Sequence, residues 1–164
     1  MLTNLDWLFP WLLFLHVLGA IAAFGPSFAF PIIGAMGGGE PQHANFATRV
    51  SHSIADRLVY PIGITLPITG AAMMLVRGID PSARANWWLG IAIVLYVIAY
   101  GYSFFYQRGI INRIIAMTST PPPPGAAGPP PELPPLVKRV QQGGMLLTVL
   151  LIAIILLMVV KPQF

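Results

Sequence analysis

His16 is the residue in this chain best placed to do chemistry, because it stands inside a long apolar run where an imidazole needs a partner. A helix rises ~1.5 Å per residue, so depths on different apolar runs can be compared by counting from their ends. His16 lies about nine residues inward from Trp7, Tyr96 about nine inward from Trp87, and Thr65 and Thr69 about ten and six inward from Leu75. The four are expected at comparable depth. Small residues on the His16 face (Gly19, Ala20, Ala23), with Gly63 and Gly70 on the second run, let a backbone or a flat ligand come close. One reading makes His16 an axial ligand to b-type haem or a hydrogen-bond partner to a quinone, with Tyr96 as polar handle. The other makes it a neutral imidazole satisfied by Thr65, Thr69 or Tyr96, fixing the register of the helices. The residues leave both open.

Other polar chemistry is sparse. His43 and His52 fall in a joint between apolar runs, on the order of 20 Å from His16 along the membrane normal, so they cannot share one iron with it. A haem on His16 would need a Met, a water or a histidine of another subunit; Met73 and Met74 lie too close to the boundary to serve. His52 and Asp56, with His43 and Glu40 upstream, allow a surface metal site to be drawn, but a solvated i, i+4 His/Asp pair accounts for the same spacing, and no metal site is assigned. Cysteine is absent, which removes disulfides, thiolate nucleophiles and cysteine-held metals. No phosphate loop, Ser/His/Asp set or paired carboxylates occur, and the spans carry no mid-membrane charge of the kind transporters use. Catalysis would require a cofactor to bring the chemistry. No catalytic activity of the chain's own is expected.

The elements that must position these groups are membrane helices. Mean hydropathy is +0.75 and only 9% of residues are charged, and a bilayer core calls for about 20 apolar residues per helix. Runs of that kind cover about 7–36, 58–76, 87–106 and 145–160. The predicted fold is all-α: a polytopic four-transmembrane-helix bundle in a single domain over 1–164, with a short cytoplasmic interfacial helix and both termini outside. The first span should begin at or just before Pro10 and kink or end near Pro26 or Pro31. Asp6 and the lack of Lys or Arg before the first apolar run argue against a cleaved signal peptide.

Gly37 to Gly39 should break the first helix, and 44–57 carries Phe46, Val50 and Ile54 on one stripe, which predicts the interfacial helix, continuous with the second span or nearly so. The joint at 118–135 is proline-rich and predicts an extended polyproline II spacer, or a ligand for a partner domain. Arg49, Arg57, Arg108, Arg113, Lys138 and Arg139 fall on one side of the bilayer, against Arg77, Arg84 and Lys161 on the other; the first side is read as cytoplasmic. Trp7, Trp11, Trp87 and Trp88 should mark the outer interface, and Tyr60, Tyr102, Phe105 and Tyr106 the inner one. The net charge of +4 is thus a topology signal, and no nucleic-acid partner is expected.

Through Leu15-His16-Val17-Leu18-Gly19-Ala20 to Phe24-Gly25, and again from Pro61 to Leu75 with its Pro-Ile-Thr-Gly-Ala stretch, the chain resembles small four-helix bacterial proteins known only as predicted integral membrane proteins of unknown function. A looser similarity, carried by His16 alone, links it to the copper-resistance-D-like and protoporphyrinogen-oxidase-like membrane families. There a first-helix histidine is associated with haem. The expectation is a small accessory subunit of the bacterial cytoplasmic membrane, packed in a larger, energy-converting complex, with a haem- or quinone-binding redox protein as the rival.

Overall fold

A computed structural model describes residues 5–119 and 130–162, and no strand occurs among them. The helices are α1 (Phe9–Gly39), α2 (Ala44–Ile54), α3 (Tyr60–Arg77), α4 (Trp87–Gly101), α5 (Arg108–Thr118) and α6 (Leu133–Val160). Two π-helical segments splice some of them together: Ala55–Val59 joins α2 to α3, and Tyr102–Gln107 joins α4 to α5. Four helical rods long and apolar enough to cross a membrane result, Asp6–Gly39, Ala44–Arg77, Arg84–Thr118 and Leu133–Val160.

Several predicted boundaries move outward. α1 starts at Phe9 with Pro10 in its first turn, as expected, but it runs through Pro26 and Pro31 instead of ending there. Gly37 to Gly39 are still helical, and the helix stops only at Glu40. Gly37 serves the return instead: a Cβ on it would stand 2.8 Å from the Ala47 Cβ, so its bare backbone lets α2 fold back against α1. The interfacial helix is indeed continuous with the second span. The helix of the third span does not stop at Tyr106 but continues as α5, an amphipathic helix whose Ile114 is buried.

α6 begins at Leu133, inside the stretch read as non-helical. Pro134 and Pro135 occupy its first turn, where backbone N–H groups have no intrahelical partner to lose. Thr118 likewise closes α5; the rest of the proline-rich joint, 120–129, lies outside the described residues.

Between α3 and α4 the turn is locally built. Gly78 takes a left-handed φ of 62°, and Ile79 N–H reaches back to Met74 C=O while Gly78 N–H reaches Leu75 C=O, so the last carbonyls of α3 are capped. Asp80 then accepts from the Ser82 backbone N–H at 2.8 Å and the Ser82 hydroxyl at 2.6 Å, which holds its carboxyl below the usual range.

α1 packs along α2 and α3, α4 along α6, α2 against α5, and α6 closes the ring by touching α1. The most deeply enclosed side chains are small and medium: Ala23 and Ala92 are fully enclosed, with Leu66, Leu151 and Ile154 nearly so. Large apolar side chains point outward along every rod, as lipid contact requires. The residues expected at the two interfaces differ in burial. Trp88 is enclosed at the end of the bundle, with Lys161 Nζ 5.8 Å from its ring, while Trp7 and Trp11 face outward. Tyr60 is only 7% exposed, because its hydroxyl turns inward to Ser103, while Phe105 and Tyr106 face outward.

Candidate functional site

His16 sits on the face of α1 that meets α3. The Thr69 hydroxyl donates to Thr65 C=O at 2.9 Å, the back-bond open to a threonine in a helix. Its oxygen lies 2.8 Å from His16 Nδ1, a hydrogen bond in which Nδ1 donates when the hydroxyl proton is on a carbonyl of α3 and accepts when the hydroxyl turns toward the ring. The His16 Cε1 lies 3.5 Å from where a Cβ on Gly70 would be, an ordinary van der Waals distance. Beside it, a Cβ on Gly19 would come within 3.2 Å of Leu66 and 3.5 Å of the Thr65 hydroxyl. The Thr65 hydroxyl is engaged with Ile62 C=O at 2.7 Å. Of the four residues expected at one depth, His16 and Thr69 touch, and Thr65 joins through its carbonyl.

Tyr96 is elsewhere, and a proline explains why. Pro67 has no N–H, so the carbonyl of Gly63 loses the donor a helix would normally supply. The Tyr96 hydroxyl takes its place at 2.6 Å. One turn on, the Tyr100 hydroxyl donates to Tyr60 C=O at 3.0 Å, and Tyr60 in turn donates to Ser103 C=O at 3.1 Å. The rings form a continuous stack: Tyr96 on Tyr100 at 5.9 Å and Tyr100 on Phe104 at 6.1 Å, with Tyr60 edge-on to Phe104 at 5.2 Å. Phe24 of α1 touches the Tyr96 ring, about two helical turns from His16.

The stack ends in ions. Arg108 lies over Phe104 at 5.2 Å and grips Asp56 with two hydrogen bonds of 3.0 Å, and His52 Nε2 stands 3.5 Å from the same carboxylate. Asp56 belongs to one π-helical segment and Arg108 follows the other, so this clamp ties the two spliced rods where each departs from regular geometry. His43 pairs separately with Glu40 at 3.6 Å. No group of three or more His, Cys, Asp or Glu converges among the described residues.

Every tyrosine hydroxyl of the ladder meets a backbone carbonyl, which has no proton to pass on, so it is a set of clamps and not a relay. Sequence reasoning found Tyr96 alone. The signal for the rest was the i+4 series Tyr96, Tyr100, Phe104, Arg108 opposite a proline-containing helix. On the far side of α4 and α5, the Tyr102 hydroxyl and Gln107 Oε1 press on Gly143 of α6, where any Cβ would collide with both; Gln107 Oε1 is enclosed without a hydrogen-bond partner among the described residues.

For a haem, this chain offers a single axial nitrogen, Nε2 of His16; His43 and His52 are held at the Glu40 and Asp56 end. Without a proton, Nε2 suits iron or a quinol hydroxyl; with one, it suits the carbonyl of an oxidised quinone.

No curated protein matches the sequence significantly, and no solved structure does. Residues 10–162, nearly the whole chain and all four spanning rods, match one family, described as Predicted integral membrane protein (DUF2269). With four apolar helical rods and that match, the chain belongs to this family of integral membrane proteins.

Proposed function

We propose that the protein is a small accessory subunit of the bacterial cytoplasmic membrane, packed within a larger, energy-converting complex and without catalytic chemistry of its own. The observation that carries this reading is where its intramembrane polar groups go. His16 is bonded to Thr69, Tyr96 and Tyr100 to carbonyls of the same chain, and Arg108 to Asp56, so its polar chemistry holds the bundle together. Outward, α1 and α6 present Leu13, Phe14, Leu18, Ile21, Val149, Ile152 and Leu156, faces that suit lipid or partner helices. Both termini on the outside follow from the basic end made by Arg49, Arg57, Arg108, Arg113, Lys138 and Arg139.

The experiment is mild-detergent purification with a native gel and a reduced-minus-oxidised spectrum of the same sample. Migration in a heavy band with stoichiometric partners and no Soret absorbance is the expected result. A protein that runs alone and colourless overturns the subunit reading.

The rival, a haem or quinone protein, is favoured by one feature: the Thr69 hydrogen bond holds Nδ1 and so orients the ring, as second-sphere partners do for ligating histidines. A Soret band lost in His16→Ala would establish it.

A further inference from the structure

Where α5 meets the first turns of α6, Arg113, Glu132, Pro135, Leu136 and Arg139 line a cavity of about 270 Å³. Leu136 is buried and makes an apolar floor. Arg113 Nη2 donates to Glu132 Oε2 at 2.8 Å, with both side chains largely exposed (63% and 64%), and Arg139 has no ion-pair partner among the described residues. Arg139 stands about six residues, or ~9 Å, before the apolar run that starts at Met145, and Arg113 about seven residues, or ~10 Å, beyond Tyr106. Both reach headgroup level, outside the hydrocarbon.

We propose that this cavity binds a phosphate group, presented by an anionic lipid headgroup or by a free phosphate ester, between Arg113 and Arg139. A guanidinium fork matches phosphate oxygens as well as it matches a carboxylate. Glu132 is then an internal competitor for Arg113, and an exposed pair of this kind exchanges readily. Scattered basic residues attract anions through a diffuse field; here two guanidiniums border one concavity, with Leu136 beneath them. The inference holds whether or not the bundle is a subunit.

The test uses the full-length protein in phosphatidylcholine nanodiscs doped with phosphatidylglycerol, extracted into detergent, with retained phosphatidylglycerol counted by native mass spectrometry. Arg113→Gln and Arg139→Gln should each lower retention about fivefold. Glu132→Gln should raise it, a gain that misfolding cannot produce. Lys138→Gln removes the same charge next to Arg139 but outside the lining, and retention should be unchanged. Equal losses in Lys138→Gln and Arg139→Gln, or no gain in Glu132→Gln, would overturn the site in favour of general surface charge. Glycerol phosphate in the same assay separates the sources: saturable, Arg139-dependent binding of it without lipid retention identifies a free ester. Saturable binding of neither ligand overturns the proposal.

Discussion

Pro67 and Tyr96 form one unit, although they lie on different helices. The proline removes an N–H, the Gly63 carbonyl is left without its helical donor, and the tyrosine hydroxyl supplies a replacement at 2.6 Å. Tyr96→Phe should therefore destabilise the bundle by about 0.5–1.5 kcal/mol, the range measured for hydrogen bonds between membrane helices. In a Pro67→Ala background the carbonyl regains an N–H, and the cost of Tyr96→Phe should fall to about half or less. Reversible unfolding in mixed micelles across the four variants measures the coupling; equal costs in both backgrounds would refute it. Depth counting placed Tyr96 beside His16 because it treats all spans as entering the bilayer at one height. An unsatisfied carbonyl is a stronger instruction than depth, and it is written in the sequence as the residue four before an internal proline.

At the scale of elements, glycines decide how near two rods come. A Cβ on Gly63 would stand 2.8 Å from Cε2 of Tyr100, a ring held on both faces by Tyr96 and Phe104 and thus unable to swing away. Gly63→Ala should cost about 1–3 kcal/mol. Gly70→Ala meets only His16 Cε1 at 3.5 Å, ordinary contact, and should be neutral or stabilising by about 0.5–1 kcal/mol as a helical Gly-to-Ala change. Thermal unfolding in detergent distinguishes the pair, and a Gly70→Ala penalty as large as that of Gly63→Ala would contradict the packing described. The four spans were legible from length and hydropathy alone, since bilayer thickness sets one scale for all of them. The helical extensions were not. Arg108, Asn112 and Arg113 interrupt the apolar run and conceal α5, while Pro134 and Pro135 read as a helix breaker although both sit in the first turn of α6.

For the whole molecule, the two ends of the bundle differ in charge. Arg77 lies over Phe9 at 4.2 Å and Lys161 over Trp88 at one end, while the Asp56–Arg108 and Arg113–Glu132 pairs occupy the other. With no native cysteine to interfere, single substitutions report sidedness cleanly. In intact cells, Ala85→Cys should react with a membrane-impermeant maleimide and Gln42→Cys should react only after permeabilisation; the reverse pattern would invert the orientation. The ladder of clamps also has a consequence in time. Two of its acceptors, the carbonyls of Gly63 and Tyr60, belong to the first half of the chain, and their donors Tyr96 and Tyr100 to the second. Synthesis from the N-terminus delivers these two acceptors first. Until the third rod arrives, the Gly63 carbonyl can be satisfied only by water or by a passing helper, so the first two spans cannot settle in lipid as a finished pair, and the bundle is completed only when its tyrosines are in place.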